Sequence, residues 1–282
     1  MGPRVTMPPA LWAMLVAPIW VALSSAIMGL LVWMDVVWLP LILLVGWGGG
    51  TLVVLMMERN RRVPDMPPLG FGRPALDLII YALVAGLGSA ILSSEIDNVM
   101  RSHFAAPTAA PTEPGPIVAE PLWLHALVSG LFMPLTRAVV VHGIVLRNMV
   151  FSAPLSWAVG FSTFAYFFSM SGALHDWLRF ALPAGVAGWA YVRSHNVWVS
   201  MAALLGSFSG VWLEVFDLTL GVPGFDQTDP AQVLFQPHWF NAAGVALLAV
   251  GVGLLIRAFE KRPFSQLVLA ADARRPEPPS DD

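Results

Sequence analysis

Apolar residues run along this chain in long blocks broken by short polar stretches, rather than alternating with polar residues at a strand or surface-helix period. A membrane-spanning helix needs about 20 mostly apolar residues. Segments near 10–34, 36–57, 75–94, 122–146, 153–174, 197–216 and 239–258 meet that requirement. An eighth, near 178–192, is short, but Arg179 and Arg193 at its ends can snorkel and neighbours can bury a short helix. The pattern predicts an all-α fold, a polytopic transmembrane helix bundle of about eight spans occupying 10–262. A tail at 1–9 precedes it, and a polar, Pro-rich tail at 263–282 follows, with a composition expected to be disordered. The first apolar block is too long for a signal-peptide core and lacks a cleavage motif, so it reads as a retained helix.

Charge between the blocks orients them, because cytoplasmic loops collect Arg and Lys. With eight spans and both termini inside, Arg4, Arg59, Arg61, Arg62, Arg73, Arg147, Arg193, Arg257, Lys261, Arg262, Arg274 and Arg275 all fall on one side. Only Arg101 and Arg179 fall on the other, which instead gathers Glu95, Asp97, Glu113, Glu120, Asp176, Asp217, Asp226 and Asp229. The expectation is an integral, multi-pass protein with both termini cytoplasmic. Two outer loops are long, near 95–121 and 217–238: the first is Pro/Ala-rich and linker-like, the second carries apolar Phe225, Leu234 and Phe235 and reads as ordered.

Composition agrees with lipid as the solvent. Of 282 residues, 57% are hydrophobic and 12% charged, against roughly 25% charged in an ordinary globular domain. A net charge of −3 with Lys261 as the single lysine offers no broad basic surface, so nucleic acid is excluded as a partner. Cysteine is absent, which removes disulfides, thiolate metal sites and a cysteine nucleophile. Many of the 12 Trp sit near the ends of apolar blocks, where indoles anchor helices. The pairs Ala184/Gly188 and Gly206/Gly210 form small-xxx-small faces that favour close helix contact.

Ionisable groups inside hydrocarbon are the candidates for function. Arg137 is the sharpest: it precedes the boundary residue Arg147 by ten positions, about 15 Å along a helix. It must snorkel, pair or face a wet cavity, and by depth Asp77 is a better partner for it than Glu214, which lies near the outer end of its span. His142 follows on the same helix, about a turn and a half on, and His125 lies near the opposite end, so the two cannot share a metal. His175 and His195 fall in turns and His238 just before the last span, positions where an interfacial histidine is ordinary. No cofactor is required by the sequence, although His125 or His142 could serve as the axial ligand of a haem or a chlorophyll-type pigment. Glu214 and Asp217 share a helix face, yet no set of three ligands converges on one ion, so no metal site is expected.

From the fourth to the seventh span, over roughly 120–215, the chain resembles the CPBP family of intramembrane proteases, which contains the CAAX prenyl proteases and bacteriocin-processing proteins. The family motif Pro-x-x-Glu-Glu-x-x-x-Arg-Gly is similar to Pro134-Leu-Thr-Arg137-Ala138-Val-Val-Val-His142-Gly143, with both glutamates and the arginine replaced. Gly188-Trp-Ala-Tyr-Val-Arg193-Ser-His195-Asn196-Val-Trp198 is similar to the family's link Gly-x-x-x-x-Arg-Thr-Gly-Asn-x-Trp. By spacing, the family's Phe-x-x-x-His falls on Phe164–Phe168, and its His-x-x-x-Asn near Leu204 and Phe208. The resemblance implies a shared helix bundle, in which Ala138, Phe168 and Leu204 stand where water-activating residues belong. No catalytic residue carries over, so the resemblance implies a pseudoenzyme.

The leading expectation is a non-enzymatic integral membrane subunit or scaffold, whose partners are other integral membrane proteins and lipids. Alternatives are a divergent metal-dependent intramembrane protease built on Arg137, His142 and Glu214, and a pigment- or lipid-binding accessory subunit of a bioenergetic or photosynthetic complex.

Overall fold

A computed structural model describes residues 7–36, 38–61, 63–104, 121–169, 174–226 and 233–262. All regular structure among them is helical. In chain order the helices are α1 (Pro9–Trp33), α2 (Leu39–Asn60), α3 (Leu76–Phe104), α4 (122–150), α5 (Leu155–Phe168), α6 (Leu174–Ser194), α7 (Val197–Ser207), α8 (Ser209–Val215) and α9 (His238–Glu260). By length and composition, α1, α2, α3, α9 and the Leu127–Val150 part of α4 can each cross a membrane.

The block near 197–216 differs from expectation, because it is two helices rather than one span. At 11 residues, α7 is about 17 Å long, roughly half the hydrocarbon thickness. The break falls within Ser207-Phe208-Ser209-Gly210, where residues of low helix propensity cluster. It also divides the expected small-residue pair. Gly206 presses on α3 at Leu83 and Gly86, whereas Gly210, beyond the break, has open space where a Cβ would be. The region near 178–192 exceeds its expected length and becomes the 21-residue α6, with Pro183 inside.

Glycines set the closest helix crossings. A Cβ on Gly86 of α3 would strike the Ala203 carbonyl of α7, and one on Gly251 of α9 would strike the backbone at Ala85. Thus α3 is clamped between α7 and α9 at backbone distance. The central element is α4, with 72% of its apolar window buried against 22% for α1 and 28% for α9, which leave broad apolar faces outward. It is also irregular, with π-helical turns at Leu127–Phe132 and Ala138–Leu146 on either side of Met133–Arg137. Pro134, which cannot donate a backbone hydrogen bond, lies between them.

The bundle has two distinct ends. At one, the linker between α2 and α3 is strapped to the α6–α7 turn. Tyr191 Oη donates to the Leu69 carbonyl at 3.2 Å, Val197 N to that of Gly70 at 3.0 Å and Asn196 Nδ2 to that of Gly72 at 2.8 Å. Gly70 has φ +78° and lies where a Cβ would strike the His195 carbonyl, so both the turn and the close approach require glycine. At the same end Arg262 Nη2 donates to both Asp77 carboxylate oxygens at 2.9 Å. Asp77 is therefore the partner of Arg262 and not of Arg137, because it lies in the first turn of α3, beside the C-terminus of α9 rather than at the depth of Arg137. At the opposite end the 218–226 loop folds on α3, with Asn98 Nδ2 donating to the Gly224 carbonyl at 2.9 Å and Arg179 facing Asp97 at 3.7 Å.

Candidate functional site

Two of the residues singled out in the sequence, Arg137 and His142, meet in the middle of the bundle. In regular α geometry residues five apart point in different directions. The π register that begins at Ala138 closes i→i+5 turns, which brings both side chains towards Tyr166 of α5. The Arg137 guanidinium lies 5.4 Å from the Tyr166 ring centroid and 5.9 Å from that of Phe208. Its Nε donates to Ser169 Oγ at 3.3 Å. Among the described residues no carboxylate pairs with it, so two aromatic faces and a hydroxyl replace the counter-ion. A desolvated cation–π contact contributes about 2 kcal/mol, offsetting part of a desolvation cost of several kcal/mol per ion.

His142 is fully buried. Its ring stacks on Tyr166 with centroids 6.4 Å apart and planes 12° from parallel. Its Nδ1 shares a 2.6 Å hydrogen bond with Ser200 Oγ of α7. On its other side lies Gly188 of α6, where a Cβ would be in ordinary contact with His142 Cδ2 at 3.6 Å. Hydroxyl and imidazole are at nucleophile–base distance, but Ser200 is as buried as His142. Both side chains are enclosed by the helices packed around them.

For the other two candidates the backbone alone is described. His125 lies in the first turn of α4 and Glu214 near the end of α8. Their side chains are outside the described ones. Of the positions the resemblance implies, Ala138 and Leu204 are fully buried, but Phe168 is 49% exposed. The buried aromatic residue of α5 is Tyr166, two positions earlier.

A second polar cluster, not anticipated from sequence, lies at the strapped end. Glu58 of α2 accepts from Trp12 Nε1 at 2.5 Å and from Arg147 Nη2, with Arg61 Nη1 at 3.5 Å. Arg147 Nη1 also donates to the Pro67 carbonyl at 2.9 Å. Arg61 Nη1 donates to Asn148 Oδ1 at 2.9 Å, and its guanidinium sits 5.4 Å over the Trp12 ring. Burial, only partly countered by Glu58, moves Arg61 below the ordinary arginine range. Nearby, burial lowers the pKa of His195; the Pro68 backbone opposes the shift and the Arg147 charge adds to it. The available signal was Glu58 itself, an acid three residues before Arg61 on an arginine-rich boundary.

Among the described residues no group of three or more His, Asp or Glu could hold a metal ion. Compared with family models, curated proteins and solved structures, the chain matches none.

Proposed function

We propose that this chain is an integral membrane subunit or scaffold, an eight-span bundle on a protease-like frame that packs against other membrane proteins and lipids rather than cutting them. The observation that carries the reading is Arg137. Where the resembled motif places a water-activating carboxylate, this chain holds a buried cation wedged between Tyr166 and Phe208. A cation there repels a metal ion, and the adjoining His142–Ser200 pair is sealed.

The family frame draws support from the α6–α7 turn. His195 takes φ +48° at the position where the resembled link has glycine. Asn196 behind it caps α7, its side chain accepting from Trp198 N at 2.9 Å. The exposed Phe168 is a point against the frame in α5. Eight passages follow if α7 and α8 are one broken crossing. The strapped end, with Arg59, Arg61, Arg147, Arg193 and Arg262, then faces the cytoplasm together with both termini.

Purification from native membranes in mild detergent tests the proposal. Stoichiometric co-elution with another membrane protein is the expected result. A chain that is monomeric and partnerless in every such preparation refutes it, and the absorption spectrum of the same sample tests for a bound haem or chlorophyll-type pigment.

A further inference from the structure

The Glu58 cluster forms one wall of a cavity of about 600 Å³, and the lining of that cavity divides by chemistry. Arg59, Arg61 and Arg147 bring positive charge, while Leu55, Met66 and Leu69 bring apolar surface. Among the described lining residues Glu58 is the lone carboxylate. It engages both buried arginines, so the wall keeps an excess positive charge, to which exposed Arg59 adds another. The guanidiniums also keep donors in reserve: Arg61 Nε and Nη2 and Arg147 Nε are buried without an acceptor among the described residues. Buried N–H groups are nearly always paired, and guanidiniums recognise phosphate oxygens through several such donors at once. Trp12 and Asn148 hold Arg61 in place before any ligand arrives.

We propose that this cavity binds a phosphate-class oxyanion, with the apolar wall accommodating the acyl chain when the phosphate belongs to an anionic phospholipid. The placement rests on reading the basic end as a membrane surface, where anionic head groups meet arginines. It does not rest on the scaffold reading.

The test measures thermal unfolding of the full chain in mild detergent at constant ionic strength, since screening alone shifts charged proteins. Inorganic phosphate, phosphatidylglycerol and phosphatidylcholine are titrated separately. A saturable rise in Tm with phosphatidylglycerol alone assigns the site to a lipid head group. A rise with both phosphatidylglycerol and inorganic phosphate assigns it to the phosphate group itself. In either case Arg61→Gln is expected to weaken the response about tenfold or more, and Arg61→Lys to restore part of it. Should Arg61→Gln fail to fold, Arg59→Gln, at an exposed position, is expected to weaken the response several-fold. No response to either anion, an equal response to phosphatidylcholine, or an unchanged response in the variants overturns the proposal. A Tm shift in a protein that elutes alone retains the anion site and refutes only the subunit reading; a stable complex without the shift does the reverse.

Discussion

The two buried arginine sites solve the same problem in opposite ways. At the strapped end Arg147 is neutralised by Glu58 and tied to the Pro67 carbonyl, so charge meets charge. In the middle Arg137 has no counter-ion among the described residues and rests on Tyr166, Phe208 and Ser169. The first site is a network in which removing one member strands the others. The second is a single cation held by groups that are neutral without it. Burial alone therefore does not say how much a charge matters; what its removal leaves behind does.

The largest expected effect comes from breaking the network. Glu58→Gln leaves Arg147 and Arg61 facing each other without a carboxylate and should cost about 3–5 kcal/mol, measured as a loss of unfolding free energy in detergent. A cost below about 1 kcal/mol would mean that water already solvates the cluster. An intermediate effect is expected in the central site from Ser200→Ala, which strands His142 Nδ1. Leaving one buried polar group unpaired costs about 1–3 kcal/mol, and His142→Leu added to it should restore part of the loss if the pair is structural. The smallest effect is expected from Arg137→Met, which keeps much of the volume and removes an uncompensated charge. Stability within about 1 kcal/mol of the parent, or above it, is the expected outcome. A drop as large as that of Glu58→Gln would show a counter-ion at Arg137 and erase the contrast between the sites.

The helices are legible wherever apolar blocks are long, because hydropathy alone specifies a spanning helix. The break at Phe208 is written in Ser207, Ser209 and Gly210, but an apolar count passes over such a turn. Arg137 stands out because it interrupts an apolar run. Its true neighbours, Tyr166 and Phe208, do not, since aromatic residues are ordinary in membrane helices. Regular α-helical arithmetic puts His142 a turn and a half from Arg137, and the π register at Ala138–Leu146 changes that relation. Glu58 and Arg147 are hidden for the opposite reason: charges at helix ends satisfy the expected boundary pattern, so nothing in the sequence marks them as a pair. Their partnership joins α2 to α4 across 89 positions, which no local pattern encodes.

The strap over the α2–α3 linker also constrains how the chain is made. The Leu69, Gly70 and Gly72 carbonyls receive their hydrogens from Tyr191, Val197 and Asn196. These donors leave the ribosome more than a hundred residues after the linker does. A nascent chain ending before Tyr191 carries the linker without any of those clasps, and α3 without the α7 backbone that presses on Gly86. Biosynthesis therefore locks an early loop of this bundle with a turn made much later.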